Sequence, residues 1–502
     1  MNRSYRKILR NRKHRIQRRL QPKNWEDQPR PILKASNIHY EMAPRVQGLN
    51  CGGMGAMHLL AQRVGLVEDL DRSLELLKVH LPYHESDHVL NIAYNLLAGG
   101  QRLEDIETRR QDESYLNGLG AERIPDPTTA GDFTRRFDAA DITSLQECLN
   151  RARLKVWQVQ PKGFLKESFV DVDGTIAATS GECKQGMGLS YKGIWGYAPL
   201  IVSLANTKEV LYLINRPGNA ASQSGSVPWI DRAAELVGEV AETVTIRGDT
   251  DFTHTGYLDG WDQKGRKFIL GFDAHPKLVQ LAEGLAASAW QPLERLPQYE
   301  ILTEPRQKAF RYKEQIVIEK GFQNQVLVGE DLAEIEYQPL KCQKKYRVVI
   351  VRKNLSVQKG ERALFDEIRY FFYITNRKDR AAKIVGLANG RCDQENVIEQ
   401  LKNGVNALRM PVRDLLSNWA YMVMAALAWN LKAWYGLLMP NRERGGELMR
   451  MEFRRFLNAI ILIPCQIVRT ARRVIYRILG YNGWLADFFA TWERLQRLVL
   501  AG

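Results

Sequence analysis

The chain has 502 residues, 45% of them hydrophobic and 26% charged, with a net charge of +15 at pH 7. That length is too great for one hydrophobic core, so two to four structural units are expected, and the apolar fraction is that of an ordinary globular protein. The positive excess points to a polyanionic partner, nucleic acid or an acidic membrane surface, and the six cysteines form no CxxC pair, which argues against a zinc ribbon or a disulfide framework.

Residues 1–23 hold ten Lys or Arg and no acid. Such a block is either a solvated tail or a phosphate-binding arm. It lacks the apolar segment of a signal peptide. Residues 52–155 carry helical periodicity, with Leu60, Val64, Leu70, Leu74 and Val89 among the recurring apolar positions, and Thr128-Thr129 before Asp132-Phe133 reads as a capped helix start. His80, His84 and His88 fall four apart. Pro82 interrupts that helix and no cysteine is near, so a metal on this spacing is not expected.

From residue 165 the pattern changes to short strands at 169–173, 197–204, 210–214, 243–246 and 267–272, with a helix at 230–240. Three strands, a helix, a strand, a helix and a strand is the order of a ribonuclease-H-like α/β core. Strand-like runs at 315–318, 346–351 and 368–374 suggest a β-rich insertion at 276–379. Helix resumes near Asp393, where Arg391, Glu395, Glu399 and Lys402 line one polar face. The apolar run 419–434 is broken by Asn430 and Lys432 and is shorter than the ~20 residues of a membrane span. It reads as a buried core helix, and no membrane partner is expected. The last sixty residues alternate Arg454, Arg455, Arg469, Arg472, Arg473 and Arg477 with apolar residues, and read as basic amphipathic helix. The expected division is a basic tail (1–35), a helical DNA-binding region (36–160), a split α/β core (165–275 and 380–440), the insertion and a basic helical C-terminal region (441–502).

Three acids stand at the ends of these elements. Asp171 and Asp173 share one face of the first strand by its two-residue period, Asp249 follows the fourth strand with Asp251 two residues on, and Glu395 lies on the later helix. In-line displacement at a phosphodiester is served by two divalent ions ~3.5–4 Å apart held by carboxylates, and Mg²⁺ prefers such hard oxygen ligands. Asp173, Asp249 and Glu395 meet that need, with Asp171, Asp251 and Glu399 as alternatives or supporting groups.

Several segments together resemble bacterial insertion-sequence DDE transposases, in particular the insertion-sequence group thirteen-eighty. They are Asp171-Val172-Asp173-Gly174-Thr175, Tyr191-Lys192-Gly193 leading into Gly196-Tyr197-Ala198-Pro199, Arg216-Pro217-Gly218-Asn219-Ala220, and Arg247-Gly248-Asp249-Thr250-Asp251-Phe252. The third motif is similar to the Tyr-Arg-Glu-Lys signature of the wider clan, through Arg391, Glu395 and Lys402, although its tyrosine position is Ala388. The resemblance implies that Asp173, Asp249 and Glu395 bind two Mg²⁺ ions, with Mn²⁺ as the alternative. It implies that Arg391 and Lys402 contact phosphates of the terminal inverted repeats. A dimer pairing two DNA ends, in the cytoplasm and at the nucleoid of a bacterium, is the expected setting. Asp-x-Asp-Gly-Thr is also similar to the opening motif of haloacid-dehalogenase-type phosphatases, where Asp171 would be the nucleophile. A DNA-binding protein without catalysis is the remaining reading.

Overall fold

The computed structural model describes residues 3–20, 35, 38–42, 46–181, 183–295, 315, 319–360 and 362–498. The expected strand at 315–318 lies mostly outside these residues, as does part of the N-terminal basic block. The rest of that block is a helix, α1 (Arg3–Leu20), which buries none of its residues. It is docked rather than free: Arg12 Nη1 donates to the Ile478 and Gly480 carbonyls at 2.9 Å each, and Tyr5 stacks on Phe489.

The N-terminal region is helical as expected. Its two longest pieces are α2 (Glu85–Leu97), which is buried along nearly its whole length, and α3 (Ala139–Gln158), capped by Asp138. The chain then enters β1 (Glu167–Gly174), β2 (Leu200–Leu204) and β3 (Glu209–Ile214), crosses α4 (Val227–Gly238), and returns through β4 (Thr243–Gly248) and β5 (Lys267–Phe272). The strand expected at 197–204 breaks at Ala198-Pro199, where proline cannot donate to a ladder.

Nine strands of the described residues form one mixed sheet. β1 is central to its first half, antiparallel to β2 and parallel to β4; β3 continues beyond β2, and β5 lies parallel to β4. The region expected as an insertion contributes three long strands, β6 (Gln323–Tyr337), β7 (Tyr346–Lys359) and β8 (Arg362–Thr375). They do not form a sheet of their own. β8 pairs antiparallel with β5, so the long strands extend the central sheet, and the two-residue strand Gln291–Pro292 closes the far edge. Two helices then follow, α5 (Ala381–Asn389) and α6 (Cys392–Glu399), the second running into a wider π-type turn at Gln400–Gly404.

The run expected as a core helix is α7 (Leu415–Leu437), buried from Ser417 onward. Among the described residues no helix is long and apolar enough to cross a membrane. The polar residue that breaks the run has a structural use: Asn430 Oδ1 accepts the Val210 N–H at 2.9 Å and its Nδ2 donates to the Val210 carbonyl at 3.0 Å. Trp429 donates to the Lys208 carbonyl at 2.6 Å. α7 thereby covers the edge strand β3, whose backbone groups would otherwise lack partners in a buried setting. Glu209, fully buried at the start of β3, is satisfied by Arg153 at 2.9 Å, Trp157 Nε1 at 2.9 Å and Trp434 Nε1 at 2.7 Å.

The C-terminal region is only partly helical, which corrects the expectation for 441–502. β9 (Cys465–Thr470) and β10 (Arg473–Ile478) form a hairpin, and Gly48–Leu49 adds a third strand. Ile467, Val468, Val474 and Ile475 are β-branched, and Cys465 and Ile467 alternate inward, a two-residue period that an amphipathic-helix reading overlooks. The last described helix is α8 (Leu485–Arg497).

Candidate active site

β1 and β4 lie side by side and parallel, and their C-terminal ends carry the acids. Asp171 sits opposite Arg247 in the register. Its side chain is 1% exposed, and both carboxylate oxygens are taken by Arg247, Nε to Oδ1 at 2.6 Å and Nη2 to Oδ2 at 2.7 Å. The same guanidinium donates from Nη1 to the Leu387 carbonyl at 2.7 Å, tying β1, β4 and α5 together. Asp171 is therefore a buried ion-pair partner. A phosphatase nucleophile needs an accessible lone pair on that carboxylate, so this geometry argues against the haloacid-dehalogenase reading.

Two residues on, at the mouth of the strand, Asp173 keeps 16% of its side chain exposed and accepts from Arg391 Nη1 at 3.0 Å. Burial pushes its carboxyl up to about 6; the Arg391 charge opposes that rise and the Asp249 carboxylate adds to it. Asp249 is also raised, first by burial, against Arg391 and with a further push from Asp251. Arg391 is thus bonded to Asp173 and lies within electrostatic reach of Asp249. The turn that presents Asp249 depends on small neighbours. A Cβ on Gly271 of β5 would stand 2.8 Å from the Thr250 nitrogen, and one on Gly248 would stand 2.8 Å from Phe252 Cβ. Asp249 Oδ1 accepts the Asp251 N–H at 3.1 Å, and the Asp251 side chain is exposed.

α6 crosses the sheet at this point. Gln394 is buried and its Nε2 donates to the Ile201 carbonyl at 2.9 Å and the Asp171 carbonyl at 3.2 Å. Arg391, one turn earlier on the same face, reaches Asp173. Ile398 is buried one turn later, whereas Glu395 and Glu399 are exposed. Glu399 accepts from Asn403 Nδ2 at 2.6 Å. Lys402 is half-buried in the π-type turn; burial lowers its amine, while Glu399 and Asp173 push the other way.

The structure therefore pairs Asp173 with Arg391, and holds Asp249 and Lys402 within electrostatic reach of Asp173. It leaves Glu395 on the exposed shoulder of α6. Among the described residues these acids do not form a trio with ligand atoms within 4.8 Å of one another. Arg391, expected on a phosphate, is bonded to Asp173. Arg247 and Gln394 had no role in the sequence reading. The signal for Arg247 was available, since it shares a face with Asp249 just as Asp171 does with Asp173. Gln394 carried none, because its partners are backbone carbonyls distant in the chain.

A family model described as Transposase DDE domain group 1 matches residues 50–500. No curated protein matches the chain. Among solved structures, a piggyBac transposase synaptic complex with hairpin DNA aligns at 9% identity and a TM-score of 0.34, covering 82% of this chain and 81% of that one.

Proposed function

A match of that extent means that the chain belongs to the DDE transposase domain family, and from that premise we propose that it cuts and rejoins DNA at the terminal inverted repeats of a bacterial insertion sequence of group thirteen-eighty. The observation that carries the reading is the pair Asp173 and Asp249 at the ends of adjacent parallel strands, the first bonded to Arg391 and the second within its electrostatic reach. The strand order β3-β2-β1-β4-β5 supports a ribonuclease-H-like core.

Asp173, Asp249 and Glu395 are the proposed ligands of two Mg²⁺ ions. The donor set fits, because carboxylate oxygens are what a hard divalent cation prefers. When bound, such ions activate the attacking oxygen and stabilise the leaving one. Glu395 is favoured over Glu399 because it lies about 40° around the helix from Arg391, against about 80° for Glu399. To join Asp173 and Asp249, the exposed Glu395 side chain must swing from the α6 shoulder toward the strand ends. In the same step Arg391 leaves Asp173 and is free to take a DNA phosphate, joined by Lys402. Asp171 does not bind the ions; through Arg247 it fixes the strand that presents Asp173. Two protomers holding two DNA ends and a target duplex complete the proposed assembly.

The test is Mg²⁺-dependent cleavage of duplex DNA carrying the element's own ends. Asp173→Asn, Asp249→Asn and Glu395→Gln should each abolish cutting in folded protein. Cutting by Glu395→Gln together with its loss in Glu399→Gln would move the third ligand to Glu399. Normal cutting by Asp173→Asn would remove the proposed centre.

A further inference from the structure

A second group of ligand-type side chains lies in the N-terminal helical region. Glu85, the first residue of α2, is 1% exposed. Its Oε1 accepts the Leu76 and Leu77 N–H groups at 3.1 and 2.9 Å, which fixes the carboxylate and leaves Oε2 3.0 Å from His80 Nε2. The His80 and His84 rings stack with centroids 4.2 Å apart and planes 14° apart. One ligand atom from each of His80, His84 and Glu85 lies within 4.8 Å of the other two, the only such group of His, Cys, Asp or Glu among the described residues.

The four-residue spacing of His80, His84 and His88 is not what unites the cluster. His80 and His84 precede α2 and meet through the turn containing Pro82, while His88 is buried with its ring on Phe133 at 4.2 Å. The backbone N–H groups on Oε1 act as the outer partners that orient a ligating carboxylate.

We propose that His80, His84 and Glu85 bind a divalent transition-metal ion, zinc by ligand preference. Two imidazole nitrogens and Glu85 Oε2 would be the protein ligands, with water in the fourth position. Ligand atoms around tetrahedral zinc stand about 3.3 Å apart, and His80 and His84 are both exposed, which leaves their rings room to turn toward Glu85 Oε2. The imidazoles separate this centre from Asp173 and Asp249, whose all-oxygen set suits magnesium. The bound ion staples the segment leading into α2 onto the start of that helix.

The experiment uses the full chain carrying Asp173→Asn and Asp249→Asn, stripped with EDTA and titrated with Co²⁺ and then Zn²⁺. One equivalent of Co²⁺ should give the visible absorption of a low-coordinate site, bleached by Zn²⁺. His84→Ala leaves the His80–Glu85 hydrogen bond in place, so a purely structural role predicts no change. The metal site predicts affinity weaker by about tenfold or more, since removing even an outer partner has that effect. His80→Ala should match that loss of affinity, but it also removes the hydrogen bond to buried Glu85 and should melt lower in EDTA, whereas His84→Ala should melt there as wild type does. No Co²⁺ band, or equal affinity in wild type and His84→Ala, overturns the proposal.

Discussion

Asp173 is where opposing influences meet. Burial and the neighbouring Asp249 raise its carboxyl to about 6 while Arg391 pulls it down. An acid held above its unfolded value of about 3.9 is stabilising only while protonated, so native stability falls as pH rises from about 4 through 6. Asp173→Asn should therefore be more stable than wild type above pH 6, by at most roughly 2–3 kcal/mol, and the advantage should vanish near pH 4. Thermal melts across that range would measure it, and an advantage that grows toward low pH would contradict the assignment. Mg²⁺ should raise the melting temperature of wild type at pH 8 and leave Asp173→Asn unmoved, because a ligand stabilises only the state that binds it. Arg247 makes a different contribution. Arg247→Met strands the buried Asp171 carboxylate without its partner, and should cost about 3–5 kcal/mol in urea denaturation.

At the level of elements, the strands are placed by what lies across them. The Asp249 turn fits only because Gly271 in β5 has no side chain. Gly271→Ala should push that turn outward and lower cleavage by about a hundredfold, since displacements near 1 Å in a reacting group have that effect. Far-ultraviolet circular dichroism should stay the same, and unimpaired cleavage would show that the turn tolerates the methyl group. α7 and β3 form another such pair. Asn430→Leu leaves the buried Val210 N–H unsatisfied, and a loss of about 1–3 kcal/mol in unfolding free energy is expected. The sequence marked Asn430 as an interruption of an apolar run; only the edge strand beside it explains why an amide sits there.

At the scale of the whole molecule, a dense block of positive charge lies outside the core. α1 carries nine Lys or Arg and buries none of its residues, yet it is anchored through Arg12 and Tyr5 to the C-terminal region. As a DNA-contacting arm it should contribute mainly counterion release. Removing residues 1–20 should flatten the dependence of log affinity on log salt by several units, about 0.9 for each phosphate the arm neutralises. Filter binding over a salt series would measure it, and an unaltered slope would make α1 a structural helix.

The sequence alone determined the strand series 169–272, the buried character of 419–434 and the pairing of Asp171 with Asp173 on one face, because each is written in local periodicity. Local pattern also placed Asp249 at a strand exit. Only the tertiary structure decided that Asp171 is spent on Arg247, that Arg391 rests on Asp173, and that Glu395 stands on an exposed shoulder. It also made the long strands part of the central sheet, turned 465–478 into a hairpin, and brought His80 and His84 to Glu85. These outcomes depend on which backbone edges and side chains meet across large separations in the chain. Periodicity reports which face of an element is apolar; it does not report what that face will touch.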